Sequence, residues 1–336
     1  MKPADVGLAV LVAVIWGLAF VASRIALDEF SPPLMTALRF AIAAVPCLVV
    51  RKPDVSWPLL IAISGTLFLG QFLAQAYGLA HGVPVGLTAV IVQSQALFTI
   101  GFAALVFREL PTPMQTLGIG VATTGLLMIC GTVGYDFSVG AFAVIAFREM
   151  PTAVQSAGIA IATVGLLMIC GTVGFDFSVG AFAVLMISPV SFAIGNLLLR
   201  RARDVPMFDL FAWLCLVPPL PLLALALVTD GPGETWHSLA HMSWIGLVCM
   251  FFLGGISTSI AYWLWGRLLR DHTATQVVPF ALLVPFVGAA ASSLVFGETF
   301  GPLRLFGMVT VVCGIAVMLM SKRPQAVPKQ VLPKIA

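Results

Sequence analysis

Residues 6–27 read VGLAVLVAVIWGLAFVASRIAL, and this stretch decides the kind of fold. It contains one charged side chain, Arg24, and a helix needs about 20 apolar residues to cross the hydrocarbon core of a membrane. Similar runs follow along the chain, which is 60% hydrophobic and 9% charged, whereas soluble domains carry about 25% charged residues. Membrane β-strands alternate over about 10 residues, so runs of this length indicate helices. The sequence therefore predicts an all-α polytopic membrane protein.

Ten apolar spans are predicted, in addition to one duplicated span at 152–170. They cover 6–27, 34–50, 57–79, 86–107, 113–131, 181–199, 208–228, 243–265, 275–296 and 302–320. Basic clusters such as Arg51/Lys52 and Arg267/Arg270 follow even-numbered spans, whereas acidic residues such as Glu298 occupy the odd-numbered breaks. Because basic loops stay in the cytoplasm, this pattern predicts a multi-pass protein of the cytoplasmic (inner) membrane with both termini cytoplasmic.

A near-copy of one span lies in the middle of the chain. Residues 107–144 recur at 147–184, with 29 of the 38 aligned positions identical. A single additional crossing would reverse the side of every later basic loop, so the extra forty residues should cross twice or not at all. We expect either a re-entrant hairpin that includes the short apolar piece 139–147, or one copy displaced beside the bundle.

An older repeat relates the two halves of the chain. Each half has five spans, an odd number, so the halves lie in opposite orientations, as in many secondary transporters. The alternative is a chance likeness between glycine-rich helices. The residues matched at equal offsets are Glu109 with Glu298, Pro113 with Pro302, Gly118 with Gly307 and Gly125 with Gly314. The predicted organisation is an N-terminal half at 1–131, an insertion at 132–171 (with limits ambiguous within 107–184), a C-terminal half at 172–321 and a basic cytoplasmic tail at 322–336.

Several short stretches resemble the drug/metabolite transporter superfamily, in its ten-helix EamA-like branch. They are Trp16-Gly17, Leu38-Arg39-Phe40, GLTAVIVQSQALFTI at 86–100, YWLWG at 262–266 and VPFALLVP at 278–285. The last three are similar to bacterial O-acetylserine/cysteine exporters. The resemblance implies secondary export of small metabolites, and the subgroup implies amino acids related to cysteine. The forty-residue insertion departs from the family pattern.

Four glutamines inside spans are candidate substrate ligands. Gln71 and Gln75 are four residues apart and share a helix face, whereas Gln93 and Gln95 are about 200° apart, so we expect one of that pair to face a cavity. An amide both donates and accepts hydrogen bonds, which suits the carboxylate and ammonium of a zwitterion. The alternative role is hydrogen bonding between neighbouring helices.

Three aromatic residues and one arginine are further candidates for the substrate site. Trp16, Tyr262 and Trp265 could wall the cavity and face a cation, or belong to an interfacial aromatic belt. Arg39 lies well inside the second span. It could pair with a substrate carboxylate or extend its head group to the membrane interface.

Helix ends and breaks supply the remaining candidates. Pro279 and Pro285 lie inside the ninth span, where each removes a backbone donor and frees a carbonyl, so we expect a gating bend or a simple kink. Glu298, like Glu109 and Glu149, ends a span. We expect these carboxylates to cap the N-terminus of the helix that follows each of them.

The residue types argue against several classes of function. The sequence has no GxxxxGK[ST] phosphate loop and no nucleophile–base pair or metal-ligand cluster within spans, so we expect no enzyme, cofactor or metal. The net charge of +3 is spread over loops and tail and indicates no nucleic-acid partner.

We predict a secondary exporter of small amino acids and metabolites, similar to cysteine or O-acetylserine, that works by alternating access. The alternatives are a broader drug/metabolite transporter of unknown direction and a duplicated, poorly functional paralogue.

The expected partners follow from this function. They are a small zwitterionic substrate and the lipid bilayer, with coupling to a proton gradient and assembly as a homodimer left open.

Overall fold

Every element in the described part of the chain is helical, as the apolar runs predict. The computed structural model describes residues 1–95, 179–202, 205–272 and 277–302, with single positions at 98, 99, 102, 106, 305, 306, 309, 310 and 313. The predicted insertion at 132–171, with Glu109 and Glu149, lies outside the described residues, as does the basic tail.

The described ranges form a series of α-helices joined by short 3-10 and π-helical segments. The α-helices are α1 (Pro3–Ala26), α2 (Pro32–Ala43), α3 (Trp57–Ser64), α4 (Gln71–Ala80), α5 (Val85–Gln93), α6 (Val179–Leu199), α7 (Met207–Cys215), α8 (Pro219–Thr229), α9 (Pro232–Ala240), α10 (Trp244–Phe251), α11 (Ala261–Asp271) and α12 (Val284–Phe296). The π-helical segments are π1 (Gly65–Gly70) and π2 (Phe252–Ile260). The 3-10 segments are Val45–Leu48, Arg200–Ala202 and Val278–Leu283.

Five helices among the described residues are long and apolar enough to cross a membrane. They are Pro3–Ala26, Trp57–Ala80, Gly180–Ala202, Met207–Thr229 and Trp244–Asp271. The shorter apolar helices Pro32–Leu48 and Phe280–Phe296 fall on two more of the predicted spans. This set supports the predicted polytopic helical membrane protein.

Polar contacts show which helix ends lie together. At one end of the bundle, His272 after α11 lies 2.9 Å from the Asp5 carboxylate at the start of α1. At the other end, the hydroxyl of Ser31 donates to Asp230, and that of Ser243 donates to Glu29. The acidic loop residues Asp28, Glu29, Asp230 and Glu234 therefore gather at a single end and line a common cavity.

Elements that precede the duplicated stretch pack against elements that follow it. The pairs in contact include α4 with α6, α1 with α12, α5 with α12, α2 with α8 and α2 with π2. The interior of the bundle is therefore shared between the two halves of the chain. Residues that face this interior from opposite halves can form one site.

A glycine allows the contact between α2 and π2 to be close. A Cβ atom on Gly254 would lie 2.6 Å from the carbonyl oxygen of Arg39 and 2.6 Å from the Cβ of Ile42. Small residues permit such backbone approaches between membrane helices. This crossing holds the middle of α2 directly against π2.

Glu298 caps a helix that lies far from it in the sequence. Its carboxylate accepts hydrogen bonds from the backbone N–H groups of Val85 at 2.7 Å and Gly86 at 3.2 Å, in the first turn of α5. The favourable interaction of an acid with a helix N-terminus is as expected. The packing of α12 along α5 brings Glu298 to the start of α5. Most of the helix that follows Glu298 lies outside the described residues, so a cap on that helix stays a prediction.

Gly254→Ala is expected to destabilise the protein in detergent by about 1–3 kcal/mol, because the added methyl group overlaps the α2 backbone. Gly255→Ala is the matched control, since its Cβ would meet the Phe251 ring at an ordinary 3.6 Å. Thermal unfolding of the purified variants measures the difference. Equal melting temperatures for the two variants would contradict the close crossing.

Candidate functional site

Arg39 carries a positive charge into the interior of the bundle. Its side chain is 3% exposed, so it does not extend to the membrane interface. Its Nε donates to Thr258 Oγ1 at 3.1 Å, and its Nη2 donates to Ser257 Oγ at 3.4 Å. The guanidinium carbon lies 4.2 Å from the centre of the Phe72 ring. No acidic residue in the described ranges forms an ion pair with Arg39.

This environment compensates the charge only in part. Hydroxyl acceptors and the face of an aromatic ring both stabilise a buried cation. Neither supplies a negative charge, and an ion buried without a counter-ion costs several kcal/mol. Among the described residues, the surroundings of Arg39 are therefore those of a cation without an anionic partner.

The hydroxyls that contact Arg39 belong to π2. Thr258 Oγ1 donates to the carbonyl of Leu253 at 2.8 Å, and Ser259 Oγ donates to that of Gly254 at 3.2 Å. In each pair the carbonyl lies five residues earlier, the spacing of a π-turn. Such side-chain bonds offer the backbone an alternative to α-helical hydrogen bonding, which explains the wide turn here. π-helical turns within α-helices occur frequently at functional sites.

Trp16, Tyr262 and Trp265 form one aromatic cluster inside the bundle. The ring centre of Trp16 lies 5.3 Å from that of Tyr262 and 5.1 Å from that of Trp265. Trp16 Nε1 also donates to the backbone carbonyl of Ser257 at 3.2 Å. By contrast, Trp263 is 47% exposed. Within the YWLWG stretch at 262–266, only Trp263 therefore has the exposure of an interfacial belt residue.

Further rings connect this cluster to Arg39. Tyr262 lies 5.2 Å from Phe211 and 6.2 Å from Phe68, and Phe68 lies 6.3 Å from Phe72, which covers the guanidinium. A narrow pocket opens beside these rings. Its lining includes Phe68, Phe211, Cys215, Thr258, Tyr262 and Trp263. Aromatic rings therefore form a large part of the pocket wall, together with small side chains and the hydroxyl that contacts Arg39.

Gln71 and Gln75 are buried on α4, where this helix packs on α6. Gly78 marks the face of α4 that contacts α6, because a Cβ atom on Gly78 would lie 2.9 Å from the Cβ of Leu185. Gln71 lies seven residues before Gly78 and therefore on the same face of the helix. Gln71 Oε1 is buried and has no hydrogen-bond partner within the part of the chain that the structure describes, and the same holds for Ser188 Oγ on α6. A buried acceptor without a donor is costly, so Gln71 can accept a hydrogen bond from a polar ligand.

Gln93 and Gln95 meet the 3-10 segment that precedes α12. Gln93 Nε2 donates to the carbonyl of Ala281 at 2.8 Å, and Gln95 Nε2 donates to Gln93 Oε1 at 3.5 Å. Pro285 lies four residues after Ala281 and has no N–H, so it cannot form the α-helical bond to that carbonyl. The helix break expected at Pro279 and Pro285 lies at this 3-10 segment, where the Ala281 carbonyl accepts from the backbone N–H of Val284 as well as from Gln93.

The candidates predicted from sequence fall into two groups in this structure. Trp16, Arg39, Tyr262 and Trp265 join a single network of contacts, and Gln71 lies next in the chain to Phe72 of that network. Gln93 and Gln95 belong instead to the contact between α5 and the segment before α12.

Sequence reasoning missed Ser257, Thr258 and Phe72. A signal for the first two was available, because Ser257, Thr258 and Ser259 are three consecutive hydroxyl residues within an apolar span. Phe72 carries no such signal, since one phenylalanine among 24 is unremarkable until the fold brings it to Arg39.

Comparison with known proteins agrees with these observations. The EamA-like transporter family matches residues 5–131 and 179–320, which is well over half of the chain. This chain belongs to the EamA-like transporter family. Membership indicates a membrane transporter rather than an enzyme.

Two relatives of this EamA-like chain are named probable amino-acid metabolite efflux pump. The Salmonella typhimurium protein is 27% identical over 320 residues, covering 94% of this chain and 94% of its own. The Escherichia coli protein is 27% identical over 328 residues, covering 96% of this chain and 97% of its own. A Synechocystis protein named only as an uncharacterized transporter is 24% identical over 323 residues, covering 93% of this chain and 88% of its own.

The fold of this EamA-like chain also resembles that of a solved crystal structure. The match has a TM-score of 0.53 and covers 94% of this chain and 96% of the other, at 15% sequence identity. At that identity the likeness concerns the fold alone.

Arg39→Met is expected to abolish transport without destabilising the protein. Arg39 has no ion-pair partner among the described residues, so an apolar side chain of similar length leaves no opposite charge buried alone, and we expect no fall in the unfolding free energy. Arg24→Met is the matched control. Arg24 is partly exposed and pairs with Asp28 at 2.6 Å, and a change within about 0.5 kcal/mol is expected there. Thermal unfolding tests both variants, and a large loss of stability in Arg39→Met would mean that the charge serves the fold.

Proposed function

We propose that this EamA-like transporter exports small amino acids and their metabolites, such as cysteine or O-acetylserine, across the cytoplasmic membrane. Two relatives that cover nearly the whole chain are named probable amino-acid metabolite efflux pump. The likeness of residues 86–100, 262–266 and 278–285 to O-acetylserine/cysteine exporters favours the same substrates. The proposed mechanism is alternating access driven by a secondary gradient, with protons as the proposed coupling ion.

The observation that carries this proposal is the buried charge of Arg39. A substrate carboxylate would supply the negative charge that no described residue provides. A guanidinium binds a carboxylate through two parallel hydrogen bonds, which fixes the orientation of the substrate as well as its charge. An amino acid meets this requirement, whereas an amine without a carboxylate does not.

In this proposal, the ammonium group of the substrate binds between the aromatic cluster and α4. Trp16, Tyr262 and Trp265 present ring faces that attract an ammonium group. Gln71 offers an unpaired amide oxygen, and Gln75 lies one turn further along the same helix. These acceptors suit the N–H donors of an ammonium, so the proposed site matches both charges of a zwitterion.

The moving part is proposed to lie at the broken ninth span. The hydrogen bond from Gln93 to Ala281 joins α5, from the first half, to the 3-10 segment of the second half. Pro279 and Pro285 reduce the number of backbone hydrogen bonds that must change when this segment moves. In this proposal, breaking the Gln93–Ala281 bond accompanies the change of access.

The proposed architecture is a ten-helix transporter of two inverted five-helix halves, with the limits 1–131, 132–171, 172–321 and 322–336. One structural likeness supports it. Spans three and eight, which occupy equivalent places in the two halves, each start with an eight-residue α-helix (α3, α10), continue as a π-helical segment (π1, π2) and end as a second α-helix (α4, α11). The distribution of basic residues over the loops favours the proposed cytoplasmic location of both termini.

Uptake of labelled cysteine and O-acetylserine into inside-out vesicles tests the proposal. Wild-type protein should accumulate both, and a protonophore should reduce the accumulation. The Gln93→Ala/Gln95→Ala double variant should lower the initial rate about tenfold, because it loses hydrogen bonds at the moving segment, while its amount in the membrane stays unchanged.

The control is His237→Ala/His241→Ala, at one exposed position in α9 and one directly after it. Its uptake rate should equal that of the wild type. Normal uptake by the glutamine double variant would remove Gln93 and Gln95 from the mechanism. Uptake of unrelated drugs without amino acids would point to a broader transporter, and uptake of neither class would point to a poorly functional paralogue.

A further inference from the structure

We infer that Ser257 and Thr258 are positioning residues that orient Arg39 for recognition of a substrate carboxylate. This inference rests on the proposed function and adds a structural basis for substrate selectivity. It concerns two residues on π2 that act through the arginine.

The hydrogen-bond directions around Thr258 are determined by its neighbours. Its hydroxyl donates its single proton to the carbonyl of Leu253 at 2.8 Å. The hydroxyl oxygen is therefore left as an acceptor, and it accepts from Arg39 Nε at 3.1 Å. Toward Arg39 the Thr258 hydroxyl can therefore act only as an acceptor, and this contact holds the guanidinium in one orientation.

Ser257 contacts the same guanidinium from the preceding position on π2. Its hydroxyl lies 3.4 Å from Arg39 Nη2, and it is fully buried. A π-turn is wider than an α-turn, so adjacent side chains diverge by a smaller angle and both can reach one planar group. The wide turn is thus the local structure that lets two consecutive hydroxyls engage Nε and Nη2.

These contacts leave the remaining edge of the guanidinium for a ligand. Phe72 covers one face of Arg39 at 4.2 Å, and the two hydroxyls occupy Nε and Nη2. Nη1 forms no hydrogen bond with a described residue. Thr258 also lines the narrow pocket described above, so this residue links Arg39 to that pocket.

Ser257 further connects the arginine to the aromatic cluster. While its hydroxyl accepts from Arg39, its backbone carbonyl accepts from Trp16 Nε1 at 3.2 Å. A carboxylate that pulls the guanidinium would therefore act on the same residue that holds Trp16. The positions of the two ends of the proposed site are linked through one residue of π2.

Thr258→Val tests the inference because valine keeps the shape of threonine and removes the acceptor. With Nε left without its partner, the Michaelis constant for cysteine uptake into inside-out vesicles should rise about tenfold. The maximal rate should stay within about twofold, since the variant changes binding rather than the access step. Ser257→Ala should raise the Michaelis constant less, because its contact is longer.

Two further variants separate positioning from general packing. Thr258→Ser restores the hydroxyl and should return the Michaelis constant to near the wild-type value. Thr88→Val is the matched control, because Thr88 is equally buried but bonds only to the carbonyl of Pro84 in its own helix at 3.0 Å. It should leave both kinetic constants unchanged.

Opposite outcomes overturn the inference. An unchanged Michaelis constant in Thr258→Val, or a fall in maximal rate alone that Thr258→Ser does not correct, would make the hydroxyls structural. If wild-type protein transports no amino acid, the proposed function fails. The orientation of Arg39 is then tested by thermal shift with acetate against acetamide. Stabilisation by acetate in the wild type, lost in Thr258→Val, supports the inference, and any other result refutes it.

Discussion

A positive charge buried among apolar helices is the constraint on which the rest of this site depends. The guanidinium of Arg39 cannot lose its proton under physiological conditions, so its surroundings must stabilise the cation. The fold does so with two hydroxyls and the face of Phe72. Those hydroxyls reach the charge because π2 widens the helix and because Gly254 lets π2 approach α2 closely. The π-helical geometry of π2 therefore supplies the hydrogen bonds that stabilise the buried Arg39 guanidinium.

The sequence predicted the helical membrane fold more fully than the contacts within the candidate site. Apolar runs of about 20 residues identify spans because the hydrocarbon thickness sets their length, and the described helices fall on those runs. The pairing of Tyr262 with Trp265 was also accessible, because residues three apart on one helix share a face. That Trp16 on α1 packs against both of them became visible only in the fold. Ser257 and Thr258 were missed because a π-turn arises from competition between hydroxyls and the backbone, which apolar periodicity does not report.

Long-range packing explains the contacts that the sequence did not predict. Glu298 caps α5, a helix far from it in the sequence, since the contact of α12 with α5 decides which helix start is near. In the same way, Gln93 donates to the carbonyl of Ala281, more than 180 residues away, because the fold packs α5 against the segment before α12. A single sequence reveals that such carbonyls and carboxylates exist. It does not reveal which partner the fold brings to them.

Calorimetric titration of the purified transporter with cysteine and with cysteamine, the same molecule without its carboxylate, tests the central claim most directly. Both ligands carry the thiol and the ammonium, so the comparison isolates the group assigned to Arg39. The account predicts that cysteine binds and that cysteamine binds at least about a hundredfold more weakly, as expected for loss of a charge-assisted hydrogen-bonded pair. Equal affinities for the two ligands would contradict it.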